Sequence, residues 1–238
     1  AQFGSAYAGL VLVNINPAYR TPELEYALKK VGCRALVTES AFKTSNYTPT
    51  LNDPAPELAG SDPGDLHSAG LPDLRIVVRL GSEHSGGMIN FDDVARKAGP
   101  KEFAALDTIG LNLDFDAPIN IQFTSGTTGS PKAATLTHHN IVNNASMSAS
   151  IMRFTERDRL CMPVPMYHCF GMVLGTLLCT SSGAAIVLPA AAFEAAACLA
   201  AIGGERCTAV HGVPTMFIAM LEDPGFASCD TRALRTGI

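Results

Sequence analysis

The chain has 238 residues, of which 47% are hydrophobic and 16% charged, and its net charge is −5. That is enough apolar material for one large domain or two small ones, and the acidic balance provides no basic field for a nucleic-acid partner. A membrane span needs about 18 or more consecutive apolar residues; the nearest stretch, 170–202, is broken by Ser181-Ser182-Gly183, Pro189 and Glu194.

Residue 1 is Ala and residues 1–8 already read as helix, so the sequence is expected to start inside a longer polypeptide, with any targeting peptide outside it. Leu10–Ile15 is an apolar, β-branched run expected to be a buried strand. Thr21-Pro22-Glu23 predicts a helix start with Thr21 as N-cap, running to Val31 and stopped by Gly32. Ala35–Thr38 is the next strand, and strand, helix, strand in this order predicts a βαβ unit with a parallel sheet. Residues 45–73, rich in Pro, Gly, Asp and Ser, read as a loop or weakly structured insertion. Arg75–Leu80 is a strand, Gly81–Gly87 a turn, Phe91–Ala98 a short helix and Gly99–Asp116 a mixture of helix and loop.

Beyond these, Ala117–Phe123 is a strand, and Thr137 is the N-cap of a helix to about Met152 that places Ile141, Ala145, Ser148 and Met152 at helical spacing. Arg159–Val164 is a strand. Tyr167–Thr180 is helical, with Gly171 and Gly175 small enough for close approach. Ala184–Leu188 and Cys207–His211 are strands, the alanine-rich Ala190–Ala201 reads as a packed helix, with the helix in chain order placed over Phe193–Gly203, and Pro214–Leu221 is a last helix. Arg232–Ile238 resembles the entry to a further strand. The alternation places the chain in the α/β class. Seven cysteines (Cys33, Cys161, Cys169, Cys179, Cys198, Cys207 and Cys229) form no C-x-x-C pair and no zinc spacing, and their apolar neighbours fit free thiols in a reducing compartment.

The most informative segment is Thr124-Ser125-Gly126-Thr127-Thr128-Gly129-Ser130-Pro131-Lys132. A strand, a small-residue loop dense in hydroxyls and a terminal lysine together make a grip for a polyphosphate. Glycines let the backbone approach the anion, N–H and hydroxyl groups donate to its oxygens, and the lysine offsets its charge. The segment is not a Walker A loop, because Pro131 precedes the lysine and Ala133 stands where that motif needs Ser or Thr. His138 and His139 are adjacent, so they do not share a helix face, and no third ligand stands at metal spacing; they read as a helix-start pair. A second constellation, Pro163-Val164-Pro165-Met166-Tyr167-His168-Cys169-Phe170-Gly171-Met172, presents one imidazole among aromatic and thioether groups. On composition alone His168 is an ordinary core histidine.

Residues 124–132 resemble the phosphate loop of the adenylate-forming superfamily, which includes acyl-CoA synthetases, aryl-CoA ligases, luciferases and peptide-synthetase adenylation domains. Thr124, Ser125, Gly126, Thr127, Thr128, Gly129, Pro131 and Lys132 match its pattern in register, and Thr137-His138-x-Asn140 also fits. Ala133 departs from the Gly usual there; if the position required positive φ, Ala would cost about 1 kcal/mol. Met166–Met172, His211-Gly212-Val213-Pro214-Thr215-Met216-Phe217 and Leu234–Ile238 are similar to strings of the medium-chain and fatty-acid-activating synthetases, bacterial type.

The resemblance implies a fragment of the large N-terminal domain, with mostly parallel sheets flanked by helices. If the fragment divides into two α/β subdomains, the boundary is expected near 99–117. The implied reaction is ATP-dependent activation of a fatty, medium-chain acid to acyl-adenylate and then to acyl-CoA. Residues 124–132 would grip the ATP phosphates, His168 would border the substrate carboxylate, and Tyr167, Phe170, Gly171 and Met172 would line the acyl pocket with it. Small-molecule substrates (fatty acid, ATP and coenzyme A) are implied, with Mg²⁺ entering only through bound ATP. Compartment would follow source, cytoplasm for a bacterium and mitochondrial matrix for a eukaryote. The family's remaining adenine, ribose and Mg²⁺ motifs and its mobile C-terminal domain are expected beyond residue 238, so the 238-residue chain alone is expected to be inactive. Alternatives are an aryl-CoA ligase, a carrier-protein adenylation domain and a truncated, non-catalytic nucleotide-binding relative.

Overall fold

The computed structural model describes residues 1–42, 44–124 and 131–238. The chain forms two compact units, one of residues 1–114 and 119–135, the other of residues 115–118 and 136–238.

The first unit opens with helix α1 (Gln2–Tyr7), strand β1 (Leu12–Asn14) and helix α2 (Thr21–Lys30). The N-cap of α2 is Arg20, not Thr21, because Pro22 occupies the second helical position and places Glu23 at the third. There its carboxylate accepts the Arg20 N–H at 3.1 Å, which is half of a capping box. Gly32, at φ 59°, lets the chain leave the helix. Strands β2 (Ala35–Thr38), β3 (Ala41–Phe42) and β4 (Ser45–Asn46) follow, then helix α3 (Tyr47–Asn52) and a 3₁₀ turn at Pro56–Gly60. Next come β5 (Ile76–Arg79), β6 (Ile89–Asn90), α4 (Phe91–Arg96), α5 (Pro100–Leu111), β7 (Pro118–Thr124) and β8 (Lys132–Thr137).

The expected βαβ unit does not form. β1 pairs in parallel with β7 in the order β1-β7-β8, whereas β2 pairs in parallel with β5 in the order β2-β5-β6. β1 therefore takes its partner from more than 100 residues downstream rather than from the strand after α2. It is also less buried than its apolar run predicts, with Leu10 and Val11 exposed.

Residues 45–73 are not a loose insertion. Leu51, Leu58, Leu66 and Leu71 are each at most 2% exposed and form a core with Leu24, Leu28, Leu74, Val77 and Met88. The leucines are spaced by 7, 8 and 5 positions among Pro and Gly turns, so neither helix nor strand periodicity exposes them to pattern reading.

The second unit contains α6 (His138–Ile151), β9 (Arg159–Cys161), a π-helical segment (Phe170–Leu177), α7 (Leu178–Ser182), β10 (Ala185–Val187), α8 (Ala195–Gly204), β11 (Ala209–Val210), α9 (Pro214–Glu222), a 3₁₀ turn (Pro224–Ser228) and β12 (Thr236–Gly237). The sheet is all parallel, in the order β10-β9-β11-β12. The alanine-rich helix begins at Ala195 rather than Ala190, since residues 188–194 run through bends and extended backbone after Pro189. Cys161, Cys198 and Cys207 are buried with Leu199, Ile202, Val210 and Met220 in the core beneath α8. All seven cysteines are free thiols, and Cys169 is the exposed one among them.

One buried ion pair ties the ends of this unit together. Asp158 is 4% exposed and receives Arg235 Nε at 3.0 Å, Arg235 Nη2 at 2.6 Å, the Thr208 hydroxyl at 2.7 Å and Thr155 N–H at 2.8 Å. Arg235 also donates to the carbonyls of Met152 and Arg153 at the end of α6. Burial raises the Asp158 pKa, but these donors outweigh it and hold the carboxyl at about 2. No helix among the described residues is long and apolar enough to cross a membrane.

Candidate functional site

The loop residues Ser125, Gly126, Thr127, Thr128, Gly129 and Ser130 lie outside the described residues, but both flanks are described, in the first unit. β7 reaches the loop with Asn120, Gln122 and Thr124 at period two, hence on one face. Asn120 and Gln122 are 2% and 8% exposed, unusual for primary amides in a strand core. They are satisfied by a relay along the strand. Gln122 Nε2 donates to Asn120 Oδ1 at 2.8 Å, and Asn120 Nδ2 donates to Leu12 O and to Asn14 Oδ1, both at 3.0 Å. The parallel register sets Asn14 beside Gln122, so the entry strand of the loop is held to β1 by side chains as well as by its backbone.

The exit is held from elsewhere. The Tyr26 hydroxyl, on α2, donates to Pro131 O at 3.1 Å. Thr124 Oγ1 donates to Lys132 O at 3.5 Å, a long bond between the two ends of the loop. Ala133 lies within β8, and among the described residues the non-glycine residues with positive φ are Arg153 and Arg206. The strain that Ala would suffer at a glycine-requiring position is therefore absent.

β8 runs into the start of α6, which carries a complete capping box. Thr137 Oγ1 accepts the Asn140 N–H at 3.1 Å, and Asn140 Oδ1 accepts the Thr137 N–H at 3.0 Å. Ile141, Ala145 and Ala149 form the buried stripe of α6. Of the histidine pair, His139 serves this helix start. His139 Nδ1 lies 2.9 Å from Asp116 Oδ1, its N–H donates to Phe115 O at 2.9 Å, and its ring meets Phe115 edge-on with centroids 5.5 Å apart. Among the described residues no group of three His, Cys, Asp or Glu side chains could hold a metal ion.

The His168 constellation belongs to the second unit. Tyr167 and His168 are exposed, Phe170 is half-buried, and Gly171 and Met172 are buried. His168 Nδ1 accepts the Phe170 N–H at 3.1 Å, which in the neutral ring leaves the proton on Nε2, and its carbonyl accepts the Met172 N–H at 2.9 Å. The imidazole thus caps the turn that begins the π-helical segment. Two glycines make that segment possible. A Cβ on Gly171 would run into the Pro165 carbonyl, and one on Gly175 would overlap Met162 Sδ. From the other side His211, fully buried at the end of β11, is placed with Nε2 3.0 Å from Leu174 O and its ring stacked on Phe170 at 5.6 Å. Desolvation pushes the His211 pKa below its ordinary value, so the ring is neutral and donates from Nε2 to that carbonyl. π-Helical turns concentrate at functional sites, which makes Phe170–Leu177 the most specialised backbone in this unit.

Four residues of this framework are invisible to motif reasoning as site residues. Asn120 and Gln122 had a signal, two amides at period two inside an apolar run. His211 had only its place in a family-like string. Tyr26 had none, since its partner lies 105 positions away.

Comparison with known proteins completes the description. A family model described as AMP-binding enzyme matches residues 1–238. The chain is 42% identical over 239 residues to the mitochondrial medium-chain acyl-CoA ligase ACSF2 of Danio rerio, covering 100% of this chain and 39% of that protein. It is 43% identical over 237 residues to the putative acyl-CoA synthetase YngI of Bacillus subtilis (strain 168), covering 100% of this chain and 43% of that protein. The chain thus spans about two fifths of the length of these relatives. The inhibitor-bound crystal structure of the N-terminal domain of FACL13 from Mycobacterium tuberculosis superposes with a TM-score of 0.73 at 25% identity, over 99% of this chain and 51% of that one.

Proposed function

Because the chain belongs to the AMP-binding enzyme family, we propose that it supplies the ATP-phosphate grip and part of the acyl pocket of an AMP-forming acyl-CoA ligase acting on medium-chain fatty acids. The observation that carries this reading is the run Thr124–Lys132, eight of whose residues keep the family pattern in register between β7 and β8. The names of the relatives, a medium-chain acyl-CoA ligase and a putative acyl-CoA synthetase, support the substrate class.

In the proposed reaction the fatty carboxylate attacks the α-phosphorus of ATP, the bond to the bridging oxygen breaks, and pyrophosphate leaves. The thiol of coenzyme A then attacks the acyl carbon and AMP leaves. Negative charge grows on pyrophosphate in the first step. Loop N–H groups, the hydroxyls of residues 124–130 and the Lys132 ammonium would stabilise it from fixed positions. ATP would bring Mg²⁺ with it, and the steps assigned to this chain use its own residues alone. His168, exposed with its proton on Nε2, would donate to the fatty carboxylate and orient it, and Tyr167, Phe170, Gly171 and Met172 would form the adjoining pocket wall.

The test is pyrophosphate release from ATP in the presence of octanoate and coenzyme A. The complete polypeptide carrying this segment is expected to be active, Lys132→Ala to lower kcat/KM for ATP at least tenfold (on the order of 1.4 kcal/mol or more), and the 238-residue chain alone to be inactive. A complete polypeptide that releases no pyrophosphate with any fatty acid, or a Lys132→Ala variant indistinguishable from wild type, would refute the proposal.

A further inference from the structure

We propose that Tyr26 is a positioning residue for the phosphate loop and holds the peptide that carries Lys132. The inference rests on the ATP-phosphate reading of residues 124–132. The Tyr26 hydroxyl donates to Pro131 O at 3.1 Å. That carbonyl lies in the same rigid peptide plane as the Lys132 N–H. The pyrrolidine ring already fixes φ of Pro131, and a hydrogen bond to its carbonyl fixes the remaining soft torsion, ψ. On the far side, Lys132 O receives Thr124 Oγ1. The backbone of the lysine is thereby bracketed, which fixes the root of a long side chain whose ammonium has to meet a phosphate oxygen.

The anchor itself is rigid. α2 buries Leu24, Ala27 and Leu28, at i, i+3 and i+4, in the core of the first unit. Tyr26 lies on the flank of that stripe and is half-buried. Phe would satisfy such a flank as well as Tyr does, except that a hydroxyl in this position requires a partner. Its partner belongs to neither the helix nor the core but to the loop exit. The aromatic ring spans a gap that a Ser or Thr on the same helix could not cross.

Tyr26→Phe deletes one oxygen and keeps the ring, so folding is retained and the hydroxyl is tested alone. Two measurements decide the matter. Amide hydrogen exchange on the complete polypeptide should show Lys132–Thr135 exchanging about fivefold faster, with α2 protection unchanged. Calorimetric titration of the complete polypeptide with ATP, without acid or coenzyme A, should show the Kd for ATP raised about fivefold, and the KM for octanoate should be unchanged. Unchanged exchange at Lys132–Thr135 would overturn the proposal whatever the kinetics. Faster exchange with an unaltered Kd for ATP would also overturn it, reducing the bond to a structural tie. If the wild-type polypeptide binds ATP but activates no fatty acid, the ligase reading fails while the ATP titration still judges Tyr26. If it binds no ATP, both fail.

Discussion

Replacing Asn120 by Leu cuts the amide relay at its centre. The side chain makes three hydrogen bonds: two donated by Nδ2, to Leu12 O and Asn14 Oδ1, and one accepted from Gln122 Nε2. Leu keeps the branched shape but is larger, so at a position that is 2% exposed some overpacking adds to the cost that falls on the partners that each lose a bond. A net worth of about 1 kcal/mol per bond, raised for Gln122 because its donor is buried, gives a destabilisation of roughly 2–4 kcal/mol. Urea denaturation of the 238-residue chain, followed by circular dichroism, measures this directly. The relay argument also predicts non-additivity. Asn14→Leu, Asn120→Leu and Gln122→Leu combined should be less destabilised than the sum of the three single variants, because removing both members of a pair strands neither. A single Asn120→Leu variant within about 1 kcal/mol of wild type, or a combined variant whose loss equals that sum, would refute the reasoning.

Stability should fall with acid in two windows. The folded-state pKa of His211 is depressed by burial below its ordinary 6.5. The unfolded chain therefore binds the extra proton first, and His211's contribution is whole above about pH 6.5 and declines as pH drops below it. Asp158 is held at about 2 against an ordinary 3.8, so its contribution of about 2 kcal/mol is present above pH 3.8 and lost as pH falls towards 2. Asp158→Asn should shrink the second window, to which Asp230, Glu57 and Glu102 also contribute because hydrogen bonds hold their carboxyls low, and leave the first, as read from urea midpoints across pH; a variant that keeps the full acid-side decline would contradict this. Gly171→Ala and Gly175→Ala should both destabilise the second unit, by about 1–3 kcal/mol for Gly175 and more for Gly171. An added methyl at 175 meets the flexible Met162 side chain, whereas one at 171 meets the Pro165 backbone, which cannot step aside. Thermal melts that rank the two in the opposite order would show the contacts around the π-helical segment to be misjudged.

Much of the architecture was legible because it is written locally. The α6 start announces itself in Thr137 and Asn140, and the strand that leads to the 124–132 motif in the apolar run before it, whereas β8 (Lys132–Thr137), which follows the motif, went unread. The α/β class follows from alternation, and the solved neighbours share it. What escaped was written at long range. Sheet membership of β1 is decided by Asn120 and its neighbours on β7, more than 100 residues away, and nothing near Leu12 signals it. The core role of Leu51, Leu58, Leu66 and Leu71 was hidden because turns, not regular elements, deliver those side chains. The shift of the α2 cap to Arg20 shows the same limit on a small scale. Thr-Pro-Glu has two sensible readings, and the carboxylate of Glu23 selected between them.

The candidate site divides along the same line. The residues that would touch phosphate are adjacent in sequence, which is why a motif can find them. A contiguous loop cannot hold itself open against its own conformational entropy, however; its geometry has to come from groups that are already fixed for other reasons. Here those groups are a helix flank at Tyr26 and a strand face at Asn14, Asn120 and Gln122, each anchored to the first unit by its own core or ladder. In the second unit the His168 turn is set in part locally, by the Pro165 carbonyl and the glycines at 171 and 175, and only His211 comes from outside that stretch of sequence. Contact residues should therefore be replaceable only at the expense of chemistry. Frame residues should be replaceable with chemistry intact but affinity reduced. Because each frame lies within its own unit, Tyr26 and Asn120 variants should change the response to ATP and not to the fatty acid, and Gly175 variants the reverse. Steady-state kinetics with both substrates varied separates the two. A Tyr26 or Asn120 variant that raised KM for octanoate and left KM for ATP untouched would break the argument at its base.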